Sequence, residues 1–140
     1  MADKVKIAQG TPAWFEMVGS MMSEAAARAH LPEDLNVSLV ERYIDGAEIF
    51  PGRFQGLRFD IKGGRPSFKV GVTPDEMGDI VIEVTLQAAR SLNLIPGTDP
   101  EYQAARNRFA KDGSYRVNGD LSKLGSWLKD IHDPIVNRTA

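Results

Sequence analysis

The sequence contains no cysteine in its 140 residues. That absence excludes disulfide bonds, thiol catalysis and zinc sites built from thiolates, and it is consistent with a reducing compartment. No stretch approaches the roughly 20 apolar residues that cross a bilayer. Residues 1–10 also lack the apolar run of a signal peptide. We therefore expect a cytoplasmic protein without a transmembrane segment.

An excess of basic residues is also lacking. The formal net charge is -2, and this disfavours nucleic-acid binding because such proteins need positive charge to displace counterions from phosphates. With 42% hydrophobic and 26% charged residues, the composition is that of a globular protein. A chain of this length buries enough surface to fold without a metal. We predict a single domain over residues 1–140, with loose tails at 1–10 and 135–140.

Motifs for catalysis are missing as well. The sequence has no Gly-x-Ser-x-Gly elbow, no phosphate-binding glycine-rich loop and no His-Glu-x-x-His site. Its two histidines, His30 and His132, lie far apart in the chain, and His132 and Asp133 are sequence neighbours that would not face each other on a helix. We therefore predict no catalytic residue, no metal site and no cofactor, and a protein that is not an enzyme.

The first predicted helix has an apolar face rich in methionine. Thr11 can cap this helix, Pro12 suits its first turn, and the helix should end near His30. Apolar residues recur on it at three-four spacing: Trp14, Met17, Val18, Met21, Met22 and Ala25. Methionine adapts to ligands of variable shape, so this face suits the wall of a ligand cavity as well as an ordinary core.

Strand patterns follow this helix. Residues 36–44 alternate and are rich in β-branched types, which predicts a strand. Residues 45–56 contain three glycines and a proline and predict a loop, with a brief helical turn at 47–50 as an alternative. Residues 80–86 alternate again and predict another strand with one apolar face.

The clearest hairpin is centred on Gly63-Gly64, which can supply the positive φ angles of a two-residue turn. Residues 57–62 and 65–70 form its strands. Pairing outward from the turn places Phe59 opposite Phe68, Ile61 opposite Pro66, Leu57 opposite Val70 and Arg58 opposite Lys69. The last pair carries like charges, so we expect an acid such as Asp60 or Glu83 beside it.

The last third of the chain alternates strands and helices. A helix is predicted over residues 86–94, another from Asp99-Pro100 to Gly113, and a short strand over residues 114–118. An amphipathic helix over residues 121–131 follows, and Pro134 should end it. These elements predict an α/β (α+β) two-layer sandwich in which helices pack on one face of a five-stranded, largely antiparallel sheet.

This order of elements resembles the sterol carrier (nonspecific lipid-transfer) family. The similarity rests on the strand 79–84, the helix that opens at Asp99-Pro100, and the segment 115–121. The resemblance implies an apolar tunnel that binds sterols, fatty acids or acyl-CoA without performing chemistry. The loop 45–56 and the interruption at 95–98 depart from the expected pattern, and the C-terminus lacks a peroxisomal Ser-Lys-Leu ending.

We therefore predict a protein that binds or transfers a hydrophobic small molecule in an apolar cavity. The residues predicted to line the cavity are Trp14, Met17, Met21, Phe68, Phe109, Leu124 and Leu128.

Two alternatives stay open. In the first, a carboxylate acts as general base on a hydrophobic ketone or alcohol, with Asp79, Glu83, Glu48 and Asp60 as candidates. In the second, the methionine-rich face of the first helix forms a homodimer and the protein binds no ligand.

Overall fold

The computed structural model describes residues 5–140. The first four residues of the predicted N-terminal tail lie outside this range. The described chain forms six strands: β1 (Val37–Tyr43), β2 (Glu48–Phe50), β3 (Arg53–Lys62), β4 (Arg65–Val72), β5 (Ile80–Val84) and β6 (Tyr115–Asn118). Its helices are α1 (Pro12–Arg28), α2 (Leu86–Leu92), α3 (Pro100–Lys111) and α4 (His132–Asn137), with two short 3₁₀ helices at Leu121–Leu124 and Ser126–Asp130.

The strands form one mixed sheet in which β1 is central. β1 pairs antiparallel with β3 and parallel with β5. β4 extends the sheet beyond β3, and β6 extends it beyond β5, both in antiparallel pairing. The α+β class and the largely antiparallel sheet are thus confirmed, although the sheet has six strands rather than five.

The sixth strand lies in the region that the composition predicts to be a loop. That prediction is wrong, since residues 48–50 are β2 and β3 begins at Arg53. β2 pairs with the first residues of β3, and the backbone N–H of Gln55 donates to the carbonyl of Ala47 at 2.9 Å. Tertiary pairing overrides the loop-like composition here because it satisfies the backbone donors and acceptors.

The register predicted for the β3–β4 hairpin is confirmed at all four pairs. Gly63 and Gly64 adopt φ angles of 57° and 75°, as a primed turn requires. Arg58, opposite Lys69, contacts Asp60 Oδ2 through its Nε at 3.1 Å. The like-charged pair is therefore compensated from within β3.

The outer face of the sheet is crossed by the connection between β4 and β5. This connection must pass over β3 and β1 because β5 lies on the far side of β1. Glu76 secures it: the carboxylate lies 3.2 Å from Arg58 Nη1, and the Glu76 carbonyl accepts from Arg42 Nη1 at 2.7 Å. Glu83, expected beside Arg58, pairs with Arg42 instead at 3.5 Å.

Helix α1 packs on the inner face of the sheet. The Thr11 hydroxyl caps it by accepting from the backbone N–H of Trp14 at 3.2 Å, as its sequence predicts. Gly19 lies against the ring of Phe68 in β4, and a Cβ at Gly19 would collide with that ring. The apolar side of α1 is thereby buried within the chain.

The C-terminal segment differs from its prediction. Instead of one helix over residues 121–131, two 3₁₀ helices flank Gly125, whose φ of 118° interrupts regular helical geometry. Pro134 does not end a helix but lies in the first turn of α4, where proline is tolerated.

Residues 135–140, expected as a loose tail, are packed against the body of the protein. Ile135 and Thr139 are buried. The Thr139 hydroxyl accepts from Trp14 Nε1 at 2.9 Å and donates to the Ile135 carbonyl at 2.7 Å. The segment also forms a parallel bridge between Thr139 and Ile7.

Candidate functional site

A cavity of about 810 Å³ lies between the inner face of the sheet and the helices. Its wall is apolar where α1 faces the central strands, because alternate residues of each strand point to that side. The buried side chains of this apolar wall are Trp14, Val18 and Met22 from α1, with Leu39, Leu57 and Ile82 from β1, β3 and β5. The space can accommodate an extended apolar group against these side chains.

The rim of the cavity is polar and comes from the later part of the chain. α3 contributes Tyr102 and Arg106, and β6 contributes Tyr115. The C-terminal segment adds exposed groups such as Ser122, Lys129 and Asp130. The cavity therefore has an apolar interior and a polar opening, as expected for an amphipathic ligand.

The connection between α2 and α3 is held to α4 at this rim. Asp133 Oδ1 accepts from the backbone N–H of Gly97 at 2.7 Å, and His132 Nε2 lies 2.9 Å from the carbonyl oxygen of Ile95. The ring centres of Tyr102 and His132 are 4.3 Å apart. His132 and Asp133 thus contact separate groups of this connection and do not form a dyad with each other. Gly97, within the interruption singled out in the sequence, lines the cavity.

One acidic side chain, Glu41, lies among the apolar residues of the cavity wall. It is central in β1, directly opposite Leu57 of β3 and Ile82 of β5. Burial raises the pKa of the Glu41 carboxyl from 4.5 to about 7. A carboxyl group in this position is close to equally protonated and ionised at neutral pH.

Two tyrosine rings and an arginine stand on the α3 side of the cavity. The Arg106 guanidinium lies 5.8 Å from the ring centre of Tyr102 and 5.6 Å from that of Tyr115. Burial raises the pKa of both tyrosine hydroxyls, the charge of Glu41 adds to this rise, and Arg106 opposes it. The charge of Glu41 therefore acts on both tyrosine hydroxyls.

The seven residues predicted to line the cavity lie in different places. Trp14 and Leu128 line it. Met17 and Leu124 are buried in the packed core, and the remaining three are partly buried against that core: Met21, Phe68 and Phe109. None of these five borders the cavity, and a contribution of any of the seven to ligand binding stays a prediction.

Glu41 was missed, although the pattern that identified β1 contains the signal. Residues that are two apart in a strand share one face. One face of β1 carries Val37, Leu39, Glu41 and Tyr43. Val37, Leu39 and Tyr43 are buried. An acid in the middle of this apolar series marks a half-buried polar group on the cavity side of β1.

The four carboxylates considered as general bases all have other partners. Glu83 contacts Arg42, and Asp60 contacts Arg58. The remaining two accept backbone hydrogen bonds, Asp79 from Ser38 at 3.0 Å and Glu48 from Gly52 at 2.9 Å. None of the four lines the cavity. The enzymatic alternative therefore has no support at these residues.

In residues 5–140, no helix is both long enough and apolar enough to span a membrane. Over the same part of the chain, no three acidic or histidine side chains come together as metal ligands.

Comparisons with known proteins identify the fold. No protein-family model matches the chain, and no curated protein matches it significantly. A conserved hypothetical protein of Thermus thermophilus, described as possibly a sterol carrier protein, aligns with a TM-score of 0.54 at 13% identity, over 99% of this chain and 97% of that one. Sterol carrier protein 2 aligns with a TM-score of 0.52 at 14% identity, over 94% of this chain and 99% of that one.

A variant of the sec-alkyl sulfatase PisA1 also matches 81% of this chain, at 15% identity and a TM-score of 0.44. This chain spans only 16% of the sulfatase. The two neighbours with TM-scores of 0.54 and 0.52 show the fold, and identities of 13% and 14% do not show the activity. The predicted sterol-carrier-like fold is confirmed.

Proposed function

We propose that this protein binds a hydrophobic small molecule, such as a lipid, in the cavity beneath α1 and carries it. The observation that supports this proposal is a cavity of about 810 Å³ whose wall carries six buried apolar side chains from α1 and the sheet and a seventh, Ile135, from α4. Its size falls within the roughly 300–1,000 Å³ of small-molecule sites. The fold shared with sterol carrier protein 2 also supports a carrier.

Burial of the ligand supplies the binding energy in this proposal. Each methylene removed from water contributes about 0.8 kcal/mol. Part of this gain is offset by the lost freedom of the ligand and of the side chains that order around it. An acyl chain or a compact ring system could therefore bind with micromolar affinity through apolar contacts alone.

Native mass spectrometry of the purified chain, followed by solvent extraction, tests the proposal directly. We expect a co-purified fatty acid, sterol or acyl-CoA at near-stoichiometric level, or binding of such a molecule from a lipid panel. A protein that stays free of ligand after incubation with the panel would contradict the proposal.

A substitution at the rim tests whether binding occurs in this cavity. Leu128 is half-buried on the cavity wall, so Leu128→Trp should fill part of the cavity and weaken lipid binding. Met77 is 66% exposed on the crossing connection, so Met77→Trp serves as the matched control with the same added ring. Equal affinities of the two variants would argue for a binding site elsewhere.

A second candidate function rests on Glu41. A carboxyl group with a pKa of about 7 in an apolar cavity suits general base catalysis, and hydrophobic ketones are substrates that such a group could enolise. Proton exchange in deuterated water tests this alternative: the protein should exchange the protons beside the carbonyl of a bound ketone, and Glu41→Gln should stop the exchange. Unchanged exchange in the variant would exclude this role for Glu41.

The dimer alternative would have to use a surface other than the methionine-rich face. Met17 and Met22 are buried within the chain together with Trp14. A homodimer remains a prediction, and sedimentation should then give twice the monomer mass of 15.4 kDa.

A further inference from the structure

Glu41 is surrounded by apolar side chains on the sheet. Its neighbours two residues away on the same face of β1 are Leu39 and Tyr43, and the residues opposite are Leu57 and Ile82. The part of α1 that lines the cavity is apolar as well. Packing alone would favour leucine or valine at this position, so the carboxyl group calls for a separate explanation.

The half-buried Glu41 side chain has no hydrogen-bond or charge partner among the described residues that offsets its loss of solvent. Desolvation is the cause of its raised pKa, and no hydrogen bond or opposite charge within the described chain counteracts it. By contrast, the acids of the outer face are paired, Glu83 with Arg42 and Asp60 with Arg58. A polar group without a partner on a cavity wall can be satisfied by a ligand.

The basic side chains that line the cavity either pack against aromatic rings or lie at its rim. Arg106 lies against the rings of Tyr102 and Tyr115. Lys129 is exposed at the rim. Among the described residues of the apolar wall, Glu41 is the side chain with a carboxylate that can accept a hydrogen bond from a bound molecule, and no cation of the cavity neutralises it.

We propose that Glu41 is the polar recognition residue of this cavity, and that it selects a hydrophobic ligand carrying a hydrogen-bond donor, a hydroxyl or ammonium group, over one carrying a carboxylate. This inference rests on the proposed function, because it requires a hydrophobic molecule in the cavity. A hydroxyl or ammonium group would supply the hydrogen bond that Glu41 lacks. A ligand carboxylate would add a like charge beside it and would be disfavoured.

Three ligands of equal chain length test the selection: decanol, decylamine and decanoate. Their affinities are measured by calorimetry on delipidated protein at about pH 8, above the pKa of about 7, so that Glu41 is mostly ionised. In the original protein, decanol and decylamine should bind more tightly than decanoate. The stronger of the two identifies the donor as a hydroxyl or an ammonium group.

Two substitutions of Glu41 test whether this residue causes the preference for decanol and decylamine over decanoate. Glu41→Gln keeps the shape of the side chain and removes its charge, so the ratio of decylamine to decanoate affinity should fall about tenfold or more. Glu41→Met removes the acceptor, so decanol should also weaken. Glu16→Gln on the exposed side of α1 is the matched control and should leave all three affinities unchanged.

The outcomes separate this inference from the function on which it rests. Failure of all three ligands to bind would overturn the proposed function together with the inference. Binding of all three, with an affinity ratio unchanged by Glu41→Gln, would overturn the role of Glu41 alone. Tight decanoate binding that is lost in Arg106→Gln would also overturn it, because the polar end would then lie at Arg106.

Discussion

Replacing Glu41 with glutamine should stabilise the ligand-free protein, and the gain should grow as the pH rises. The pKa of the Glu41 carboxyl is raised from 4.5 to about 7 in the folded state because burial disfavours the charged form. Below pH 4.5 the group is protonated in both the folded and the unfolded state, so its ionisation costs nothing. Between 4.5 and about 7 the unfolded chain releases the proton while the folded chain keeps it, and stability falls with pH.

The size of this effect follows from the interval between the two pKa values. At about 1.36 kcal/mol per pKa unit, a rise from 4.5 to about 7 corresponds to a loss of about 3 kcal/mol that is complete above the folded-state pKa. Glutamine has a similar shape and no charge to desolvate. The free energy of unfolding of Glu41→Gln should therefore exceed that of the original protein by an amount that grows by about 3 kcal/mol from acid to mildly alkaline pH.

Urea unfolding of delipidated protein, measured in steps across this pH range, provides the test. Subtracting the free energy of unfolding of one protein from that of the other cancels the pH dependence of every group that they share. Glu16→Gln, on the exposed side of α1, shows what the loss of one negative charge does at the surface. A difference that is constant with pH, or an original protein that is the more stable at high pH, would refute the burial argument.

Four further substitutions test the packing. His30, just beyond the end of α1, has a φ of 51°, so His30→Gly should raise the free energy of unfolding by about 0.5–1 kcal/mol, and a lower melting temperature would contradict this. Glu76→Gln should lower the free energy of unfolding, measured by chemical denaturation, by about 1–2 kcal/mol, because Glu76 is half-buried beside two arginines of β3. Glu101→Gln is the exposed counterpart and should lower the free energy of unfolding by less than about 0.5 kcal/mol, because Glu101 is more than half exposed. Equal losses of stability in the Glu76 and Glu101 variants would argue against a role for burial. Thr139→Val should cost about 1–3 kcal/mol in the same assay by leaving the buried Trp14 Nε1 without an acceptor, and a neutral result would mean that residues 135–140 contribute little to stability.

Elements that are specified by a few adjacent residues, such as a helix cap or a tight turn, could be predicted from the sequence. Thr11 and Pro12 mark the start of α1, and the side-chain cap is present in the structure. Gly63-Gly64 sets the β3–β4 register because few other residues adopt two consecutive positive φ angles. The order of these elements was sufficient to identify the sterol-carrier-like fold.

The placement of side chains around the cavity could not be predicted in the same way. Periodicity assigns Met17 and Met21 to the apolar side of α1, but it does not distinguish contact with a packed core from contact with a cavity. In the structure, Trp14, Val18 and Met22 border the cavity while Met17 and Met21 do not. The difference depends on where the neighbouring strands and the C-terminal segment leave space.

By itself, the sequence determined the helix caps, the hairpin register and the class of the fold, because these depend on backbone preferences and spacing within a few residues. Only the tertiary structure decided that β2 pairs with β3, that residues 135–140 pack against Trp14, and that Glu41 lies unpartnered in an apolar wall. These features depend on contacts between residues distant in the chain, whose energies can exceed local preference. The burial of Glu41 in particular requires three strands and α1 to assemble around it.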